Sequence, residues 1–140
     1  VIASYLATMY PVEQMMLVAP AFQYLNATKI MEYGMKGLRA LRNPEPNPSN
    51  MLSSEYVYGF TEVVAQYKES ITQVDCPVLF LHGSDDEVIP LSSSKDAYQK
   101  VLGKKLLLQV EGGKHRMLYD NTVQDQLFPI IQLMMEHKIF

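Results

Sequence analysis

Two short segments of the chain contain residue types that do acid–base chemistry, each directly after an apolar run. The first run ends at Gly83 and is followed by Asp85 and Asp86, and the second ends in two glycines that precede His115. An imidazole acts as base and then as acid near neutral pH, and a carboxylate bonded to it fixes its tautomer and stabilises its cation. The pattern predicts two members of a catalytic triad, in the order Asp then His, without a nucleophile.

Asp86 is the expected acid, and Asp85 is the competing candidate. The alternative for this segment is a solvated turn in which Asp85, Asp86 and Glu87 have no chemical role. The alternative for His115 is a surface loop histidine. An acid loop and a histidine loop after consecutive strands favour the catalytic interpretation over either alternative taken alone.

The elements that position these residues alternate between strands and helices, as expected of a parallel α/β sheet with right-handed crossovers. Apolar runs predict strands, and helical spacing of apolar residues predicts helices. The predicted strands are 14–19, 78–82 and 105–110, and the predicted helices are 1–10, 29–41, 56–71, 92–102 and a last one after Asp120. In such sheets the carboxyl ends of the strands hold the functional residues.

Capping residues predict the helix boundaries. Ser92–Ser94 are N-cap candidates for one helix, Gly103 ends it, and Asp120 caps the last helix. Pro129 is expected only near the start of that helix or at a kink. The apolar stripe of the last helix consists of Val123, Leu127, Ile130, Ile131 and Met134.

Residues 21–74 form an insert that is too long for a simple connection between neighbouring strands. The three prolines within 43–50 predict a loop between its two helices. We therefore interpret about 22–73 as a small helical cap over the carboxyl edge of the sheet.

The remaining reactive side chains have structural interpretations. His82 is expected to pack or to fix a loop at a strand end, His137 to face solvent, and Cys76 to be structural. No cysteine–histidine cluster has metal-ligand spacing, and no glycine-rich phosphate loop occurs. We therefore expect neither a metal nor an organic cofactor.

Composition excludes several function classes. A chain of 140 residues with 48% hydrophobic residues supports one domain with a packed core. A net charge of −3 gives no sign of a nucleic-acid surface, and no apolar stretch has the length of a transmembrane span. One cysteine cannot form an internal disulfide, which fits a reducing compartment and an expected cytoplasmic location, and a secreted protein without disulfides is the alternative.

At these motifs the chain resembles the α/β-hydrolase superfamily, above all its bacterial carboxylesterase and monoacylglycerol-lipase group. Residues 77–90 resemble the acid loop of that family, and residues 112–118 resemble its histidine loop. The resemblance implies that Asp86 is the triad acid and His115 the triad base.

The first helix resembles the one that follows the nucleophile elbow of that family. The resemblance implies a serine about four residues before Val1, and Ser4 is no substitute because it lies within the helix. The expected fold class is α/β: residues 1–140 would be a partial domain, the carboxyl-terminal half of an α/β-hydrolase fold, with parallel strands, flanking helices and the cap insertion. Its partner would be the amino-terminal half of the same protein.

The function that the resemblance implies is hydrolysis of carboxylic esters, such as a monoacylglycerol or a medium-chain ester, by a serine acyl-enzyme. A thioesterase, a peptidase or a carbon–carbon hydrolase on the same frame is an alternative, because fold and triad are shared. A further alternative is a truncated remnant or a split half without catalysis of its own.

Overall fold

A three-stranded parallel sheet organises the computed structural model, which describes residues 1–23 and 54–140. The strands are β1 (Met15–Val18), β2 (Val78–Gly83) and β3 (Lys105–Val110), in the order β1-β2-β3. Met15 is level with Val78, and Val78 is level with Lys105. The predicted α/β class with parallel strands is confirmed.

The described residues contain four α-helices, which flank these strands. They are α1 (Ile2–Ala7), α2 (Ser54–Tyr67), α3 (Leu91–Lys100) and α4 (Asn121–Met135), and 3₁₀ helices cover Lys68–Gln73 and Met117–Tyr119. The predicted helix 56–71 thus divides into α2 and the first 3₁₀ helix. The helix and loop predicted within 29–50, and most of the proposed cap, lie outside the described residues.

The central strand β2 separates two hydrophobic cores because its side chains alternate between the two faces of the sheet. Val78 and Phe80 belong to the core that includes Ile71, Ala97 and Val101. On the other face, the core residues are Leu79, Leu81, Val110, Met117, Val123, Leu127 and Met134. Every residue of β2 is buried, as expected of a strand covered on both faces.

Helix α3 begins earlier than predicted. Pro90 is its N-cap residue, and its carbonyl oxygen accepts a hydrogen bond from the Ser93 amide at 2.9 Å. Ser93 and Ser94 therefore lie within the first turn, and both side chains are fully buried. The predicted serine cap was wrong because tertiary partners engage these hydroxyl groups.

The carboxyl end of α3 also differs from the prediction. The helix ends at Lys100, and Val101 already has the extended backbone with φ −66° and ψ 127°. The Val101 side chain is fully buried in the first core, so packing ends the helix before Gly103.

The predicted apolar stripe and N-cap of α4 agree with the structure. The Asp120 carboxylate accepts a hydrogen bond from the Thr122 amide at 3.0 Å. Pro129 lies well inside the helix and not near its start. A proline there leaves the carbonyl of Asp125 without its helical donor. Both residues are exposed, so water can satisfy that carbonyl.

Candidate active site

The acid loop (84–90) follows β2, and the histidine loop (111–116) follows β3. Gly83 and Val110, the last residues of the two strands, are level in the parallel register. Because neighbouring parallel strands end at the same edge, the two loops leave the sheet side by side.

Hydrogen bonds join the two loops beyond the end of the sheet. The Ser84 amide donates to the Val110 carbonyl at 2.9 Å, and the Asp85 amide donates to the Gly113 carbonyl at 3.0 Å. The Gly112 amide donates to the Ser84 hydroxyl at 2.8 Å. The acid loop therefore fixes the backbone that carries the histidine.

Gly83 is required by the close approach of these loops. A Cβ atom at this position would lie 1.9 Å from the Gly113 carbonyl oxygen, which is backbone and cannot rotate away. Gly112 has a different reason to be glycine, because its φ of 68° is in the left-handed region. Because Gly83 has no side chain, the backbones of the two loops can lie in direct contact.

Asp86 is held by its own loop. Its Oδ1 accepts hydrogen bonds from the amides of Val88 and Ile89, both at 2.9 Å. The other oxygen, Oδ2, lies 3.0 Å from His115 Nδ1. The Asp86 side chain is 1% exposed, so hydrogen bonds from the two amides and from His115 replace those that water would make to the carboxylate.

These contacts favour the ionised form of Asp86. Burial alone would raise the pKa of the carboxyl, but the hydrogen bonds from His115 and from the Ile89 and Val88 amides outweigh it, and the net pKa is lowered. Asp86 is therefore a carboxylate at neutral pH, as an orienting acid must be.

His115 presents the opposite environment, because its side chain is 37% exposed. An ionised carboxylate only accepts hydrogen bonds. Nδ1 of His115 is therefore assigned the hydrogen atom, and it donates the hydrogen bond to Asp86. In the neutral ring, Nε2 then has the free lone pair. The arrangement gives an oriented imidazole whose second nitrogen can take a proton from a substrate or a nucleophile.

The structure separates the two neighbouring acids. Asp85 is exposed, and its Oδ1 accepts a hydrogen bond from the Ser84 hydroxyl at 2.9 Å. Of the two candidates, Asp86 is therefore the one that the structure brings to His115.

The other histidines and the cysteine lie apart from this pair in different ways. His82 is fully buried behind the acid loop, whereas the His137 side chain is 59% exposed and lies 3.6 Å from Glu13. Cys76 precedes the amino-terminal end of β2, which is the end opposite the acid loop. The residue is buried, and burial raises the pKa of its thiol. The Ser4 hydroxyl is buried and donates to the Val1 carbonyl at 2.6 Å.

Sequence reasoning missed the roles of Ser84 and Ser94. Ser84 joins the two loops, and Ser94 contacts His82 at 2.6 Å. The serine after Gly83 carried a weak turn signal, but its partner is 28 residues away along the chain. Nothing local indicates such a contact.

Two kinds of feature are absent from the described residues, 1–23 and 54–140. In this part of the chain no three His, Cys, Asp or Glu residues are grouped as a metal site. Over the same residues, no helix has the length and apolar character needed to cross a membrane.

Solved structures share this fold at low sequence identity. One structure, described as being of the metagenome-derived lipolytic enzymes LipS and LipT, matches with a TM-score of 0.65 and 16% identity over 96% of this chain. The monoacylglycerol lipase of Paleococcus ferrophilus matches at 0.61 and 15% over 92%, and Est1E of Butyrivibrio proteoclasticus with bound ferulic acid at 0.58 and 20% over 96%. The chain spans 60%, 61% and 54% of these structures, respectively.

Sequence comparisons agree with the fold. The uncharacterized protein YqkD of Bacillus subtilis (strain 168) is 45% identical over 49 residues, which are 35% of this chain and 16% of that protein. A hydrolase family model described as "Serine aminopeptidase, S33" matches residues 35–122, more than half of the chain. With its parallel sheet and its structural neighbours, this match shows that the chain belongs to this family of α/β-hydrolases.

Proposed function

We propose that Asp86 and His115 are the acid and the base of a Ser-Asp-His triad in a carboxylic ester hydrolase. The observation that supports this most is the 3.0 Å contact between His115 Nδ1 and Asp86 Oδ2, with the acid buried and the imidazole accessible. The nucleophilic serine would come from a segment of the full-length protein before Val1, and that segment would be the partner of residues 1–140.

In this mechanism His115 transfers a proton twice. Its Nε2 takes the serine proton as the serine oxygen bonds to the ester carbonyl carbon, and then gives that proton to the leaving alcohol. Water attacks the acyl-enzyme in the same way, which releases the acid and restores the serine. Asp86 stabilises the imidazolium that forms in each half-reaction.

The proposed substrates are uncharged esters such as monoacylglycerols or medium-chain esters. Two of the similar structures are described as lipolytic or as a monoacylglycerol lipase, which supports an ester. The family description instead names an aminopeptidase, so a peptidase on the same frame is the second candidate. The triad serves both reactions, because ester and amide carbonyls are attacked in the same way.

Hydrolysis by the full-length protein separates these candidates. We expect turnover of p-nitrophenyl butyrate that exceeds turnover of aminoacyl p-nitroanilides, and that falls by about 10³-fold or more in His115→Ala. His137→Ala is the matched control, since His137 is an exposed histidine remote from Asp86. Faster turnover of the anilides would make the protein a peptidase. Ester turnover that is the same in His115→Ala would contradict the proposed triad.

Residues 1–140 alone are expected to be inactive under this proposal. They would lack the serine and the backbone donors of the oxyanion hole, which supply much of the rate advantage. The measurement is p-nitrophenyl butyrate hydrolysis by this chain against its His115→Ala variant. Steady turnover that depends on His115 would place the nucleophile within residues 1–140.

A further inference from the structure

The imidazole of His82, at the end of β2, is a buried titratable side chain that the mechanism does not use. The side chain is fully buried. Its Nδ1 lies 2.6 Å from the Ser94 hydroxyl of α3, and its Nε2 lies 3.1 Å from the Ile89 carbonyl oxygen. Nε2 also lies 3.6 Å from Asp86 Oδ2, too long for a direct hydrogen bond but close enough for an electrostatic contact.

The partners of His82 fix its tautomer. A backbone carbonyl only accepts hydrogen bonds, so Nε2 must carry a proton toward Ile89. In the neutral ring Nδ1 is then an acceptor, and the Ser94 hydroxyl donates to it. The N–H group on Nε2 is therefore directed at the Ile89 carbonyl, and Asp86 Oδ2 lies 3.6 Å from the same nitrogen.

These contacts close a ring around the acid. The Ile89 amide donates to Asp86 Oδ1, and the Ile89 carbonyl accepts from His82. Ile89, which donates to Asp86 Oδ1, is thus itself bonded to the His82 imidazole, and that imidazole lies near Asp86 Oδ2. Ser94 connects this ring to the first turn of α3, where the adjacent Ser93 is also buried.

We propose that His82 and Ser94 are positioning residues, which hold the Asp86 carboxylate at the angle and distance at which it orients His115. His82 does not touch the reacting atoms and exchanges no proton with substrate. This inference rests on the proposed triad for its effect on catalysis, but the geometry that it concerns can be measured without turnover.

Four variants of the full-length protein test the positioning role, and Asp86→Asn tests the triad itself. His82→Leu removes both ring nitrogens, and His82→Gln keeps an amide N–H donor. Ser94→Ala removes the hydroxyl that holds the ring. Ser93→Ala is the matched control: Ser93 is the adjacent, equally buried serine, but its hydroxyl donates to the Pro20 carbonyl, whereas the Ser94 hydroxyl contacts His82.

Two readouts are measured on each variant. One is kcat and KM for p-nitrophenyl butyrate, and the other is the nuclear magnetic resonance signal of the His115 Nδ1–H proton, which its bond to Asp86 shields from exchange with water. We expect kcat to fall about 10- to 100-fold in His82→Leu and Ser94→Ala with KM nearly unchanged, because a small displacement of the orienting carboxylate acts on the reaction. Exchange of the His115 proton should accelerate in the same variants. His82→Gln should recover part of both, and Ser93→Ala should leave the proton signal unchanged.

Each other outcome overturns a separate claim. If His82→Leu keeps kcat within about twofold of wild type and keeps the His115 proton signal, then His82 only packs. Equal effects of Ser93→Ala and Ser94→Ala on that signal would also reject positioning through His82. If Asp86→Asn leaves wild-type turnover intact, the proposed triad fails, and the proton signal still decides whether His82 positions Asp86. If His82→Leu does not fold, Ser94→Ala and His82→Gln provide the same decision.

Discussion

The acid loop and the histidine loop leave the sheet side by side, but the protein surrounds their reactive groups differently. In the acid loop, Asp86 is buried and bonded to the Val88 and Ile89 amides. In the histidine loop, His115 is more than one-third exposed, and the bonds that hold the loop come from Ser84 and Asp85 of the other loop.

This difference fits the separate roles of the two groups in a triad, in which the acid orients and the imidazole transfers protons. A group that only orients its neighbour gains from burial and from fixed donors, because its charge and angle must not change. A group that transfers protons needs access to the substrate. The acid loop thus provides the hydrogen bonds both to the imidazole and to the backbone that carries it.

The largest effect is expected from removing the charge of the buried acid. In the full-length protein Asp86→Asn should lower kcat by about 10⁴-fold, since an amide can hold the wrong tautomer of His115. Asp85→Asn removes one negative charge from the adjacent, exposed residue and should change kcat by about twofold at most. The measurement is kcat of both variants on one soluble ester, with folding checked by circular dichroism.

Either of two results would break this part of the comparison. A greater loss in Asp85→Asn than in Asp86→Asn would assign the orienting role to the exposed acid. Small and equal losses would mean that neither carboxylate of the acid loop orients His115.

A second prediction concerns the contact between the loops. Gly83→Ala should lower the free energy of unfolding by about 3 kcal/mol or more, because the added methyl group overlaps the Gly113 carbonyl. Gly59→Ala is the matched control within α2, where a Cβ atom meets nothing within 4 Å. The control should gain about 0.5–1 kcal/mol from its higher helix propensity. Urea unfolding of the full-length variants measures both, and equal stabilities would show that the loops separate without cost.

The smallest effect concerns the pH dependence of stability. Because the pKa of Asp86 is lower in the folded protein than in the unfolded chain, its ionisation stabilises the fold above the unfolded value of about 3.9. That contribution is lost as the pH falls through the folded pKa. The stability of wild type relative to Asp86→Asn should therefore decrease as urea unfolding is repeated from pH 6 downward. A relative stability that rises toward acid pH would show that burial, which raises the pKa, outweighs the hydrogen bonds.

The strand pattern made much of this architecture predictable. Runs of apolar residues that stop at glycine predicted β2 and β3, and parallel strands predicted that Asp86 and His115 share one edge of the sheet. Sequence position also separated Asp86 from Asp85 through the family resemblance. These features depend on local periodicity and on general rules of sheet topology.

Partners that are distant along the chain were not predictable. Ser93 and Ser94 had the residue type and position of an N-cap, but their hydroxyl groups bond to Pro20 and His82. The start of α3 was fixed instead by Pro90, whose extended backbone precedes the helix. In the same way, the requirement for glycine at position 83 is set by Gly113, which follows only after another helix and strand.

The most direct test of the proposed triad is to locate the nucleophile that His115 activates. A fluorophosphonate ester should label the full-length protein at one serine before Val1, as peptide mapping by mass spectrometry would show. The labelling rate should fall by about 10³-fold or more in His115→Ala and stay unchanged in His137→Ala, since His115 contacts the buried Asp86 carboxylate and the exposed His137 lies beside Glu13 instead. A label on a residue within 1–140, or a labelling rate independent of His115, would contradict the account.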